Sequence, residues 1–285
     1  MSVSGEAAAV PVAAEDYARF CDFFYRRTGI QLGAGKRYFV DRRLADRMEA
    51  TGLPSLRGYL LKLRYDDAEG AELQQLINAL TVNETYFYRE EYQLRALSAE
   101  IMPELAARHA GAPLRIWSLP CSTGEEPYSI ALHLTANWTG LETVDVEIVG
   151  SDIDTAVLAR ARAGLYGARA VQHLPPDLLQ RHFVRAGEAW RISAALRGAV
   201  RFTTANLHDA AAMRRHRGLY DVIFCRNLLI YFDDVSRRTA AEMLYEALRP
   251  GGFVCLGHSE SMSRMSSLFT VRKLAHAIVH QRPAA

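Results

Sequence analysis

Four stretches of the chain close apolar runs with side chains able to hold a small polar ligand. Cys121-Ser122-Thr123-Gly124-Glu125-Glu126-Pro127 follows LRIWSL and puts two acids at the start of a helical stretch. Carboxylates at a helix N-terminus repel a pyrophosphate and favour a cation such as a sulfonium or an amino group. A dinucleotide loop would want three glycines where Gly124 stands alone, which argues against NAD. Gly124 is where the backbone is expected to pass close to the ligand. VEIVGS leads into Asp152-Ile153-Asp154, and Asp152 could accept both hydroxyls of a ribose diol. Thr204-Ala205-Asn206-Leu207 sets an amide beside an apolar side chain, which suits an adenine edge and face. Cys225-Arg226-Asn227-Leu228-Leu229-Ile230-Tyr231-Phe232 offers a polar pair and then an aromatic hydroxyl. Each alone is a weak signal, since an Asp at a strand end is often only a helix cap. Four in this order are a stronger one.

A sheet must bring these stretches to one edge. After Pro113, short apolar runs alternate with helical stretches in βαβ rhythm, with strands at LRIWSL, VEIVGS, Val200–Thr204, Tyr220–Cys225 and Gly252–Leu256. The expected fold class is α/β, with a mostly parallel, doubly wound sheet whose ligand lies beyond the carboxyl ends of the strands. FTVRKLAHAIVHQ reads as two strands without a crossover helix, hence an antiparallel hairpin on the sheet edge. Residues 165–199 break the rhythm and look like a small inserted β-subdomain, with a hairpin over 183–192. From Glu15 to Gly111 the pattern is helical, with stripes at Phe20, Phe23 and Phe24, at Val40, Leu44 and Met48, and at Leu73, Leu76, Ile77 and Leu80. A further long helix spans Glu90 to His109. The expected division is a tail over 1–14, a helical domain over 15–82, a linker and connecting helix over 83–112, and a ligand-binding domain over 113–285.

The 285 residues are 49% apolar and 23% charged, and 34 Lys and Arg against 32 Asp and Glu leave a formal charge of +2. No global field recruits nucleic acid or a membrane. No run of about 18 apolar residues occurs, which argues against a membrane helix, and the N-terminal stretch has no basic region of a signal peptide. The four cysteines fit neither a zinc site nor a secreted framework, which points to reduced thiols in a cytoplasmic protein. No histidine spacing suggests a metal. Charge is uneven, however: residues 17–65 hold eleven Lys and Arg against four Asp and Glu. Lys36, Arg43 and Arg47, at spacings of seven and four, form a stripe that reads either as a solvated helix face or as a surface steering an acidic partner.

LTVNETYFYRE (80–90), WSLPCSTGEEPYSIAL (117–132), GSDIDTAVLARARAG (150–164), FCRNLLIYF (224–232) and LRPGGFVCLGHSESM (248–262) resemble the chemotaxis receptor methyltransferases, S-adenosylmethionine-dependent protein-glutamate O-methyltransferases. The likeness runs over nearly the whole chain from about residue 15. It implies a Rossmann-like class I methyltransferase sheet and an all-α N-terminal domain. It also implies that Asn83, Thr85 and Arg89 reach S-adenosylmethionine from the interdomain linker, that Glu126 takes its amino group and Asp152 its ribose, that Asn206 and Leu207 take its adenine side, and that Asn227 and Leu228 take its methionine portion. S-adenosylhomocysteine would be the product. Without the resemblance, Asn83 and Thr85 could be helix caps, and Arg89 with Glu90 a solvated pair.

A glutamate side chain is already an anion at neutral pH, so methyl transfer to it needs alignment and water exclusion instead of a general base. Arg89, able to hold a carboxylate, and Tyr231, able to donate one orienting hydrogen bond, are the catalytic candidates. His258 is read as a structural hydrogen bonder. The resemblance further implies that the basic domain, through Lys36, Arg43 and Arg47, docks the cytoplasmic helices of methyl-accepting chemoreceptors. The turn within Arg185-Ala186-Gly187-Glu188-Ala189-Trp190 is short, which predicts weak or absent binding of a C-terminal receptor tether peptide. A monomer is expected, with no nucleic acid and no membrane insertion. An RNA-directed methyltransferase is disfavoured because Arg-Asn-Leu-Leu-Ile-Tyr stands where amino-group methylators resemble Asn/Asp-Pro-Pro-Tyr, and a non-catalytic cofactor binder would lack Arg89 or Tyr231.

Overall fold

The computed structural model describes residues 13–108, 111–262 and 265–284. Of the expected tail, residues 1–12 lie outside the described residues, and Ala14 already opens the first helix. The chain divides into two compact units, Met1–Val82 and Asn83–Ala285.

The first unit is helical, with α1 (Ala14–Thr28), α2 (Arg37–Thr51), α3 (Leu56–Leu61) and α4 (Ala71–Leu80). Each terminus has a local chemical cause. Gly29 and Gly52 end α1 and α2 in the left-handed conformation, at φ 73° and 68°, which glycine adopts without a Cβ penalty. The Ser55 hydroxyl accepts the Gly58 N–H to start α3, and both Asp67 oxygens accept N–H groups at the head of α4. Phe20, Phe24, Val40, Leu44, Tyr59 and Leu76 are fully buried in this unit, each aliphatic or aromatic body contributing about 1.5–3 kcal/mol. The short α3, continued by a π turn over Lys62–Asp66, is an addition to the three apolar stripes read from the sequence.

The second unit begins with α5 (Glu91–Ala96), a π turn (Leu97–Ile101) and α6 (Met102–Arg108). The expected single helix is interrupted just before Pro103, which has no N–H to give to the preceding turn; its expected end at His109 lies outside the described residues. Next come β1 (Leu114–Ser118), α7 (Glu125–Asn137), β2 (Val146–Asp152) and α8 (Thr155–Ala163). The inserted segment holds β3 (Leu165–Tyr166), α9 (Ala168–Val171), α10 (Pro176–His182), β4 (Phe183–Ala186), β5 (Ala189–Ile192) and α11 (Ala194–Ala199). The chain then returns through β6 (Val200–Thr204), α12 (Ala210–Met213), β7 (Tyr220–Cys225), α13 (Asp234–Ala247), β8 (Leu248–Leu256), β9 (Thr270–Lys273) and β10 (Ile278–Gln281).

The main sheet has the order β6-β2-β1-β7-β8-β10-β9. β6 through β8 are parallel, and β10 runs antiparallel to both β8 and β9. Strand addition goes one way from β1 to β2 to β6 and the other way through β7 and β8. The order therefore reverses between β1 and β7, where the loops diverge and leave a crevice. Ile116, Trp117, Val222, Ile223 and Phe224 are fully buried there, as strands covered on both faces must be. The insertion makes its own three-stranded sheet, β3-β5-β4, one strand more than the hairpin expected. β8 begins at Leu248, ahead of the expected Gly252, because Pro250-Gly251-Gly252 sits inside the strand beside a register shift between Tyr220 and Val222. A bulge of this kind tolerates a residue with no N–H to pair.

Candidate active site

A strap over Asn83–Glu90 crosses the carboxyl ends of β2, β1 and β7. Asn83 Nδ2 donates to Asp154 Oδ2 at 2.8 Å, and its carbonyl accepts the Ser122 hydroxyl at 3.2 Å. The Phe87 N–H reaches the Ala170 carbonyl, and its ring meets Tyr166 and Phe183 edge-on at 4.7 and 5.3 Å. The Tyr88 N–H donates to the Ser129 hydroxyl at 3.0 Å, and Arg226 Nη2 donates to the Arg89 carbonyl at 2.8 Å. Tyr88 and Glu90 have φ of 61° and 54°, a backbone held by anchors on both sides. Asn83 is thus a tie across the crevice.

After β1 the chain turns at Gly124, φ 93°. A Cβ there would come within 3.0 Å of Ala161 Cβ and 3.1 Å of Phe202 Cζ. The glycine is therefore required by its left-handed backbone and by close packing of the turn on α8 and β6. The two acids that follow also part company. Glu125 is 4% exposed, accepts the Thr123 hydroxyl at 2.6 Å, and is pushed up in pKa by burial. Glu126 accepts from the Ser118 hydroxyl at 2.7 Å and from Arg226 Nη1 at 2.8 Å.

Asp152 ends β2 with both carboxylate oxygens engaged by backbone: Oδ2 accepts the Ser122 N–H at 2.8 Å and Oδ1 the Asp154 N–H at 3.0 Å. The helix cap at this strand end is Asp154, whose Oδ1 accepts the Ala156 and Val157 N–H groups. Burial pushes the Asp152 carboxyl up to about 6, against the pull of the two N–H donors. The folded protein then holds a proton that the unfolded chain releases near its ordinary value, so this group's contribution falls as pH rises from about 4 to about 6. Thermal unfolding followed across that range is expected to show the decline in the wild type and a flatter profile in Asp152→Asn.

The polar centre of the crevice is Arg226, whose side chain is 3% exposed. It lies 3.3 Å from Glu90 and 2.8 Å from Glu126. Burial works to raise the Glu90 carboxyl, but Arg226 and hydrogen bonds from His258 and Tyr92 overcome it and hold Glu90 below the usual range. Burial dominates at Glu126 and raises it, with Arg226 and Ser118 opposing. The three side chains leave one net negative charge in a site of low dielectric. From the sequence Arg226 stands only as half of a polar pair, with no partner assigned, and Glu90 only as a residue that a solvated surface could also explain, whereas His258 bonds Glu90 at 3.0 Å in the structural role expected of it.

Arg89 and Tyr231 are brought to the same edge. Arg89 Nη1 donates to the Glu84 carbonyl at 3.1 Å, and its guanidinium lies 5.8 Å from the centre of the Tyr86 ring. Burial raises the Tyr231 phenol, and the positive charge of Arg89 draws it partly back. Asn227, at φ 58°, and Leu228 lie half-buried after β7. Asn206 Oδ1 accepts the His208 N–H at 2.9 Å, and Leu207 is buried. Thr85 is half-buried in the strap.

The family models described as "CheR methyltransferase, SAM binding domain" and "CheR methyltransferase, all-alpha domain" match residues 83–278 and 15–81. The chain belongs to the CheR methyltransferase family. It is 51% identical over 269 residues to Chemotaxis protein methyltransferase 2 of Vibrio cholerae, covering 94% of this chain and 93% of that one. It is 38% identical over 260 residues to Chemotaxis protein methyltransferase of Salmonella typhimurium, covering 90% and 87%. Among solved structures, N-methyltransferase NodS from Bradyrhizobium japonicum in complex with S-adenosylhomocysteine covers 72% of this chain and 92% of that chain at 14% identity and TM-score 0.40, too slight a likeness to carry weight.

The chemistry of the CheR-family crevice fits S-adenosylmethionine. Its net negative cluster suits a cation, as a pyrophosphate site would not. Arg226 Nε, buried and without an acceptor among the described residues, is a donor left for a carboxylate. Glu126 and Asp152 have further lone pairs to offer, since each oxygen accepts more than one hydrogen bond. Lys36, Arg43 and Arg47 belong to the other unit. Lys36 is exposed in the turn ahead of α2, and Arg43 lies 3.8 Å from Asp46 and over the Phe39 ring. Arg47 departs from the expected stripe: it grips Glu72 through two hydrogen bonds of 2.9 and 2.6 Å, and the Tyr59 hydroxyl donates to the same carboxylate. Arg47 ties α2 to α4. Among the described residues, no helix is long and apolar enough to cross a membrane.

Proposed function

We propose that this chain methylates glutamate side chains on the cytoplasmic helical region of chemoreceptors, forming methyl esters for adaptation in chemotaxis-type signalling. The observation that carries this reading is the buried Glu90–Arg226–Glu126 cluster under the Asn83–Glu90 strap, at the point where the sheet reverses its strand order. S-adenosylmethionine, when bound, supplies a methyl group activated by a sulfonium leaving group. Glu126 would hold the amino group, Asp152 the ribose, Asn206 and Leu207 the adenine side, and Asn227 and Leu228 the methionine portion, with Asn83, Thr85 and Arg89 reaching in from the strap. Arg89 and Tyr231 orient the incoming glutamate carboxylate, one oxygen held and the other left free to attack. No residue needs to take a proton, because the nucleophile is already ionised. The test is incubation with labelled cofactor and receptor cytoplasmic domains. Label released by alkali marks a carboxyl ester, and alkali-stable label would rule this reading out.

Lys36 and Arg43 carry the proposed attraction to the acidic receptor surface, while Arg47 supports them from within. Exposed charges of this kind govern encounter and are screened by salt. Lys36→Glu with Arg43→Glu is therefore expected to raise the receptor KM about tenfold with kcat unchanged. The wild-type KM should itself climb with ionic strength. The enzyme is proposed to act as a monomer in the cytoplasm. β4 and β5 join through Gly187-Glu188 alone, a turn too short to offer a tether peptide much surface. Calorimetry with a receptor C-terminal peptide should show weak or no binding, and micromolar affinity would contradict this.

A further inference from the structure

We infer that Glu260 is a positioning residue that holds the loop carrying Asn227, Leu228 and Tyr231, and thereby sets both cofactor affinity and turnover. The inference rests on the methyltransferase reading above. Glu260 Oε1 accepts the Leu229 N–H at 2.7 Å, while Oε2 accepts the Asn227 N–H at 2.8 Å and the Gly257 N–H at 2.9 Å. Three backbone donors thus converge on one carboxylate, two from the loop after β7 and one from the end of β8. The β7–β8 ladder ends at Cys225 and Leu256. Glu260 continues that pairing by side chain where backbone pairing stops.

The loop needs such a device. Asn227 sits at φ 58°, a conformation that most residues resist and that an anion facing successive N–H groups stabilises. Leu229 and Phe232 are buried and fix how deep the loop lies. The functional side chains between and beside them, Asn227, Leu228 and Tyr231, are only half-buried. On the carbonyl side, Arg237 Nε donates to the Leu229 carbonyl at 2.9 Å. Gly257 completes the clamp: a Cβ there would come within 2.9 Å of both Asn227 Nδ2 and Glu260 Oε2.

Glu260→Gln keeps the shape but turns an N–H2 group toward at least one of the three backbone donors. Its S-adenosylhomocysteine Kd is expected to rise about tenfold and its kcat to fall by up to about tenfold through misplacement of Tyr231. Gly257→Ala, which leaves every charge in place, should give the same pattern. Adding Tyr231→Phe to Glu260→Gln should cost less than it does in the wild type, because the two act as one unit. The control is Glu104→Gln, which breaks a clamp on Arg108 and Arg272 elsewhere in the unit. It should lower Tm while leaving Kd and kcat alone. Glu260→Gln and Gly257→Ala with wild-type Kd and kcat, or with losses no different from those of Glu104→Gln, would overturn the inference. A wild type that binds no S-adenosylhomocysteine would instead bring down the functional reading, and the clamp's role with it.

Discussion

Arg89→Ala is expected to lose about a hundred- to a thousandfold in turnover and to keep its melting temperature. The two halves of that result have separate causes. The guanidinium makes one exposed hydrogen bond to the Glu84 carbonyl and lies over the Tyr86 ring, contacts whose loss costs about 0.5 kcal/mol or less. The strap stays in place without it, because Arg226 holds the Arg89 backbone carbonyl and Glu90 is fixed by Arg226 and His258. The charge itself is what methyl transfer would miss, since nothing else beside Tyr231 has been assigned to hold a glutamate carboxylate in line. Tyr231→Phe removes a single neutral donor and is expected to slow turnover about tenfold with little change in cofactor affinity. Circular dichroism melts and single-turnover methylation of receptor fragments check both. Full turnover in both variants would show the assignment to be wrong.

Arg226→Met should have the largest effect on stability. The side chain is 3% exposed and neutralises two carboxylates that are themselves largely buried. Removing one partner of a buried ion pair costs about 3–5 kcal/mol, which for a unit of this size is a fall of about 6–20 °C in Tm. The pH dependence should change in a definite direction. Without the cation, Glu90 and Glu126 repel, and one of them takes up a proton in the folded state that the unfolded chain would not hold. A carboxyl raised in the folded state makes the protein less stable as pH rises. The variant should therefore recover stability more steeply than the wild type as pH falls from neutrality, since in the wild type only Glu126 is raised and Arg226 opposes that rise. Arg226→Met with Glu126→Gln should regain part of the loss at neutral pH. A variant that melts like the wild type at pH 8 would mean that the cluster contributes nothing.

The fold was legible where local pattern and chemistry agree. βαβ alternation with polar strand ends gave the parallel sheet, and the lack of a crossover between Thr270 and Gln281 gave the antiparallel edge. Long-range pairing was not legible. Arg47 has the spacing of a solvated stripe, and nothing local distinguishes it from Arg43; its partner Glu72 lies 25 residues away on another helix. Arg226 and Glu90 are separated by more than half the second unit, so neither announces the other, although a charged residue directly after the apolar run Val222–Cys225 is a signal that a buried partner must exist. Glu260 is hidden for a different reason. Its partners are backbone N–H groups, which every sequence supplies and no motif marks.

A crystal of the chain grown with S-adenosylhomocysteine tests the central claim most directly. The account predicts the ligand at the carboxyl edge of β1, β2 and β7, its ribose at Asp152, its amino group at Glu126, and its sulfur within reach of Arg89 and Tyr231. A ligand bound elsewhere, or one in this crevice with its sulfur turned away from both side chains, would contradict it.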